Sequence, residues 1–213
     1  MRKRASRKQV GATVVEFTIS LSVLVPLLVG TFVFGFRLVR EQQVDQITRD
    51  LAHMYSRGVS FTTTGSTTEA QTLANQFGLT STGYSVVIFS TIQIETSSAC
   101  VAAVNNANCT NLNQPVFVQQ VAIGNTTANG SIFGTPTASG SLPATSGVSN
   151  NYSTTVSATA QANNTWAVAT NFNSVLALTS GEITYVVEMF NNTPDISVPG
   201  LTGAPQVYSR AIF

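Results

Sequence analysis

Positive charge is almost missing from most of this chain. Of ten Lys and Arg, five fall within the first eight residues (Arg2, Lys3, Arg4, Arg7, Lys8) and four more at Arg37, Arg40, Arg49 and Arg57, so Arg210 is the only one beyond. Residues 59–213 set that single positive charge against five negative ones (Glu69, Glu95, Glu182, Glu188, Asp195), a net of −4. A nucleic-acid partner requires a basic surface to neutralise phosphate, and none is expected here. Histidine is equally scarce. His53 stands alone beside Tyr55 and Arg57, and a lone His on a helix reads as a surface or packing residue. No G-x-S-x-G elbow, H-E-x-x-H pair or phosphate loop occurs, and the many Ser and Thr have no base nearby in sequence. Glu182 and Glu188 lie six apart on one strand candidate and share a face; solvated positions on an exposed surface suit them better than an acid–base pair. No enzymatic activity, cofactor, metal or small-molecule substrate is expected.

Cysteine is limited to Cys100 and Cys109, in "CVAAVNNANC". They lack the further Cys or His of a zinc site. A disulfide closing so short a loop contributes roughly 2–3 kcal/mol in the chain-entropy account and presumes an oxidising compartment; two free thiols are the other reading. The surrounding region, rich in Thr, Ser, Asn and Gly, has the composition of secreted or surface β-rich domains.

What the chain does have is one long apolar run. Phe17–Phe36 is twenty residues without a charge, and at 1.5 Å per residue a helix of that length spans about 30 Å, the hydrocarbon thickness of a bilayer. Pro26, Gly30 and Gly35 are poor in a soluble helix and tolerated in a membrane one. The basic cluster precedes the run, which predicts a single pass with the amino terminus in the cytoplasm and residues beyond about 37 exported. A cleavable secretory signal has a shorter core followed by a small-x-small site. Here the small residue, Gly11, precedes the core.

Glu16 is the oddity. With Lys8 at the interface it would sit about 12 Å into the apolar region, where a carboxylate costs about 2–3 kcal/mol and usually has a partner. A helix that starts lower, with Glu16 at the interface, is one solution. A chain cut between Gly11 and Ala12 is the other. The new ammonium on Ala12 would then lie four residues from Glu16 on one helical face, and Glu16 would neutralise it or that of a neighbouring subunit. The helix macrodipole favours a carboxylate there as well.

These residues carry a resemblance. "RKQVGATVVEF" resembles a class III, prepilin-type signal: basic leader, Gly11 at −1, Ala12 at +1, Glu16 at +5 and Phe17 at +6. The Glu-Phe pair is similar to that of the Flp pilins of tight-adherence systems and their pseudopilin relatives. "GATVVEFTISLSVLVPLLVGTFVFGFRLVREQQVDQITRDLAHMYSRG" resembles the opening of TadE-like proteins, and "GEITYVVEMFNNTPDI" is similar to that family's closing strand. The resemblance implies a pilin-like structural protein, cut between Gly11 and Ala12 by a prepilin peptidase, with Glu16 and Phe17 used in processing and subunit registration. Its implied place is a bacterial inner membrane, with the exported domain in the periplasm or in a surface pilus. The implied partners are the membrane, the peptidase, other pilin or pseudopilin subunits and the pilus assembly machinery. Flp major pilins are much shorter, so the length favours a minor subunit or assembly factor of an adhesive pilus over a filament-forming major pilin. An uncleaved anchor carrying a glycan- or protein-binding domain, with Trp166 as its contact, is the rival.

The organisation expected is a leader at 1–11, a membrane or pilin-core helix at 12–36, an amphipathic extension at 37–58 and an exported domain at 59–213. Val44, Ile47, Leu51 and Met54 recur every three or four residues as a narrow stripe. It suits packing on the chain's own domain better than a coiled coil. Gly58 ends the helix. Ser66 and Glu69 form a capping box for a short helix with Ala70, Leu73, Ala74 and Phe77 on one face and Gly78 as its stop. Strands are expected at 84–95, 115–123, 154–160, 182–190 and 206–212, with a low-complexity exposed loop around 124–153. Trp166 reads as a core anchor more readily than as a ligand contact. Two helices followed by strands predict an α+β fold, an antiparallel sheet packed on the long helix.

Overall fold

The computed structural model describes residues 7–127, 129–138, 151–192 and 206–213, with side chains from Thr13 onward. Its first element, α1 (Arg7–Ser56), is a single helix. It starts five residues earlier than the expected Ala12, because Arg7, Lys8 and Gln9 are good helix formers and the only weak position before Ala12 is Gly11. Its end follows the glycine signal. The Val59 amide reaches back to the Met54 carbonyl at 3.1 Å and Gly58 to Tyr55 at 3.0 Å, with Gly58 at φ +88°. That is a Schellman closure, which needs a left-handed residue at this position, and Val59 and Met54 pack together against the core.

Among the described residues, three short helices and five strands follow: α2 (Thr64–Leu73), β1 (Ser85–Ile94), α3 (Ser97–Val104), β2 (Pro115–Gly124), β3 (Asn151–Thr155), α4 (Ala158–Asn163), β4 (Ile183–Asn191) and β5 (Val207–Ile212). The strands form one antiparallel sheet in the order β3-β2-β1-β4-β5. The fold is α+β as expected, with α2, α3 and α4 where one short helix was predicted. The cap of α2 lies three residues upstream of the predicted box: Thr63 Oγ1 accepts from the Ser66 amide, while Glu69 stays exposed. A 3₁₀ turn, Asn75–Phe77, extends it to Gly78, and of the predicted face Leu73 is exposed while Ala70, Ala74 and Phe77 are buried.

Four strands lie within a residue or two of expectation. The fifth does not. Residues 154–160 divide into the end of β3 and the start of α4, because Ser157 accepts from the Ala160 amide at 3.3 Å and so caps an alanine-rich turn. The 181–196 stretch likened to a closing strand supplies β4, an inner strand, and β5 closes the sheet edge. β1 shows imperfect alternation because the sheet is covered on both faces. Val87, Phe89, Val121, Ile123, Val187 and Met189 face α1 and α2. Ile92, Phe117 and Val186 face a layer of irregular chain with Phe133, Val156, Ala160 and Phe172. A doubly buried sheet loses the apolar/polar alternation of a half-exposed one.

That second layer corrects the expected exposed loop around 124–153. Glycine is required where it leaves β2: at Gly124, φ +105°, a Cβ would sit 2.4 Å from the Ser85 carbonyl oxygen. Further on, Phe133 is fully buried and Thr135 nearly so, so residues 131–135 are a strap across the sheet. Residues 128 and 139–150 of that loop lie outside the described residues.

The predicted stripe on α1 packs on the domain. Val44 and Leu51 are fully buried, and Ile47 and Met54 pack at its border. Thr48, Ala52 and Tyr55 join them, giving a broader face than apolar residues alone indicated. Tyr55 is its anchor, meeting Phe89 and Tyr185 edge-on at ring centroid distances of 5.4 and 5.3 Å and sharing a 2.7 Å hydrogen bond with the Thr91 hydroxyl.

Candidate functional site

The first half of α1 has no counterpart in this packing. From Thr13 to Val39 every residue is exposed except Val33, which is half-buried. Leu27 keeps 67% of its surface and Phe17 66%. Twenty-seven helical residues make a rod of about 40 Å; its charge-free stretch, Phe17–Phe36, is apolar on all sides, and a helix hydrophobic all round is one that something else must bury. It is long and apolar enough to cross a membrane. Three of its hydroxyls fold back onto the helix: Thr18 donates to the Val14 carbonyl at 2.8 Å, Ser22 to Ile19 at 2.7 Å and Thr31 to Leu27 at 2.8 Å. Polar side chains folded back this way leave a hydrocarbon exterior suited to lipid or to other helices.

Gly11, Ala12, Glu16 and Phe17 all lie on α1, at or just before the start of this rod and within two turns of one another. Glu16 and Phe17 are exposed. The charges resume at the far end, where Arg37 pairs with Glu41 at 3.4 Å. Asp45 then binds Arg49 at 2.9 Å and accepts from the Ser209 hydroxyl at 3.0 Å, tying α1 to β5 where burial begins. An open groove of about 600 Å³ lies here, lined by Glu41, Asp45, Gln206, Tyr208 and Arg210.

Cys100 and Cys109 are joined in a disulfide between α3 and the loop before β2. Asn111 anchors that loop, its side-chain amide donating to the carbonyls of Gln161 at 2.8 Å and Asn164 at 2.9 Å. With both sulfurs bonded, Glu95 beside them offers a cation one carboxylate and no thiolate.

Glu182 and Glu188 do not share an exposed face. Glu182 precedes β4 and is exposed, accepting from the Thr179 amide at 2.7 Å. Glu188 has no exposed surface at all. It accepts a short hydrogen bond from the Ser131 hydroxyl, one from the Ile132 amide at 3.2 Å and one from Tyr208 at 3.0 Å. Arg210 faces it across the sheet, with its guanidinium 5.4 Å from the centre of the Phe133 ring. Burial pushes the Glu188 carboxyl above its ordinary range, against the pull of these donors and of Arg210. Burial and the Glu188 charge raise Tyr208 likewise. The cluster fastens the 131–135 strap to the sheet, a role invisible in sequence because its members are far apart. Trp166 is half-buried against the Phe133 layer.

A comparison with known families bears on the exposed rod. Residues 11–53 match the family model of TadE-like protein. The TadE-like segment thus begins at Gly11 and ends within the buried face of α1, covering the rod and its junction with the domain. It does not extend to 181–196. The match is consistent with a TadE-like pilin of the tight-adherence system, and the family suggests a pilus-associated protein. No curated protein and no solved structure matches the chain.

Proposed function

We propose that this chain is a pilin-like structural protein, a minor subunit or assembly factor of an adhesive Flp-type pilus, with no enzymatic role. It inserts with its basic leader in the cytoplasm and the sheet domain outside, and a prepilin peptidase removes residues 1–11. The observation that carries this reading is the TadE-like rod itself, a helix apolar on every side and rooted in a folded domain. In the membrane, lipid covers it; in a pilus, the rods of neighbouring subunits do. The family match supports the processing site by beginning at Gly11. The scissile bond lies inside α1, so the peptidase must unwind the first turns, and Gly11 makes that cheaper by about 1 kcal/mol relative to Ala. Glu16 then stands four residues from the new ammonium of Ala12, one turn away on the same face, and serves registration between subunits.

Amino-terminal sequencing of protein purified from membranes tests the proposal. A mature chain beginning at Ala12 is expected. A chain that still begins at Met1 would overturn processing and leave the uncleaved anchor.

A further inference from the structure

Glu95 directly follows β1 and keeps 1% of its surface. The next residue, Thr96, caps α3 through the Ala99 amide at 3.1 Å, and this turn brings the Cys100 sulfur to 3.6 Å from Glu95 Oε1. A disulfide sulfur carries no hydrogen, so the contact is a hydrogen bond only when the carboxyl holds the proton. The other oxygen, Oε2, is buried without a hydrogen-bond partner among the described residues. A carboxyl withdrawn from water with no cation beside it favours its neutral form, and burial raises the Glu95 carboxyl accordingly. The elements around it add little charge. α3 carries no titratable group but Cys100, the 105–114 loop none but Cys109, and α4 none. Glu182, on the turn before β4, is exposed and engaged with the Thr179 amide.

We propose that Glu95 is the proton acceptor that closes the Cys100–Cys109 bond. The oxidant is an external disulfide, either a small one such as glutathione disulfide or that of a thiol oxidoreductase. Cys109, the less buried cysteine at 7% against 0%, loses its proton to solvent and attacks, forming a mixed disulfide and releasing one oxidant thiolate. Cys100 then passes its thiol proton to the Glu95 carboxylate and attacks the Cys109 sulfur. The internal S–S bond forms, the second oxidant thiolate leaves, and two electrons have moved from the cysteines to the oxidant. Glu95 ends as the neutral acid beside sulfur.

The advantage is electrostatic. A buried thiolate formed alone adds a charge to an apolar site. With Glu95 ionised, the pair already carries one negative charge, and proton transfer moves it from oxygen to sulfur without creating another. The thiolate fraction then depends on the difference between the two groups and not on pH.

The test uses the full chain in detergent micelles, reduced and then given excess glutathione disulfide. Acid-quenched samples are weighed by mass spectrometry to follow conversion of the mixed disulfide into the closed form. Closure in the wild type should level off well below the pH at which thiols ionise. Glu95→Gln should close at least about tenfold more slowly in that range and climb about tenfold per pH unit, with Glu95→Asp recovering part of the rate. An unchanged rate and pH profile in Glu95→Gln would overturn the proposal. Circular dichroism checks the variant's fold. If it does not fold, a pH titration of the Glu95 carboxyl ¹³C shift in the oxidised wild type takes its place, where protonation persisting above the ordinary carboxylate range supports the assignment and titration within that range rejects it.

Discussion

The two halves of α1 belong to one uninterrupted helix and live by opposite rules. Residues 17–36 are uncharged around the whole circumference and, Val33 apart, exposed among the described residues, whereas residues 40–56 are apolar on one face and buried on that face. In the second half, hydrophobicity is arranged in a stripe and serves the fold. In the first it has no direction and serves an environment outside the molecule. Apolar character alone therefore says little about the fold; its angular distribution says which partner is meant.

The largest effect should come from separating the halves. A chain beginning at Arg40 is expected to leave the membrane fraction entirely while keeping its sheet and its disulfide, as read by cell fractionation, circular dichroism and thiol labelling. Unfolding of that fragment would mean that the rod contributes to the domain after all. Next, Tyr55→Ala should destabilise the domain by about 3–5 kcal/mol, the usual cost of removing a large buried aromatic side chain. Leu27→Ala, of similar character but on the rod, should fall within about 0.5 kcal/mol of wild type. Denaturant unfolding of the full chain in detergent measures both, and equal effects would erase the contrast.

Tyr55→Phe isolates the hydroxyl and should cost about 1–2 kcal/mol, since it leaves Thr91 without its partner. A milder effect concerns pH. Burial raises both Glu95 and Glu188 in the folded state above the ordinary value of 4.5, so the folded chain holds their protons more tightly than the unfolded one. Their stabilisation is full below about 4.5 and is lost as pH rises through the raised folded values. Glu95→Gln should flatten that decline in unfolding curves taken across this range, and an unchanged slope would remove Glu95 from the account. The smallest effect on stability, and the most telling for function, is Glu16→Ala. It should leave insertion, cleavage and domain stability as they are while impairing pilus assembly in cells. Normal pili, seen by electron microscopy, would refute the registration role.

Much of this was legible in the residues. Val44 and Leu51 announce the packed face by spacing, Gly58 announces its end, and Phe17–Phe36 announces the rod. Thr48 was hidden because a hydroxyl looks polar until it is seen donating to the Val44 carbonyl at 2.7 Å, which lets it be buried without loss. Glu188 was hidden for a related reason: its donors at residues 131, 132 and 208 are distant in sequence, and no local pattern brings a serine strap to a carboxylate 57 residues away. β1 blurred its own alternation by being covered twice. α3 and α4 are too short for periodicity to show, and their caps, Thr96 and Ser157, were the available signals. At the candidate site, Gly11, Ala12, Glu16 and Phe17 were singled out in the sequence because a motif acts at close range. Glu95 was not, because its proximity to sulfur depends on a cap and a turn.

Between Pro26 and Val44 the helix contains no second proline to interrupt it, and the domain is clamped to its upper end by Tyr55 and Asp45. Rod and domain are therefore joined as a shaft to its flange. Each residue inserted into the shaft near Leu38 would raise the flange by about 1.5 Å and swing it by about 100°, so the number of residues there sets the rotational phase of the domain about the rod.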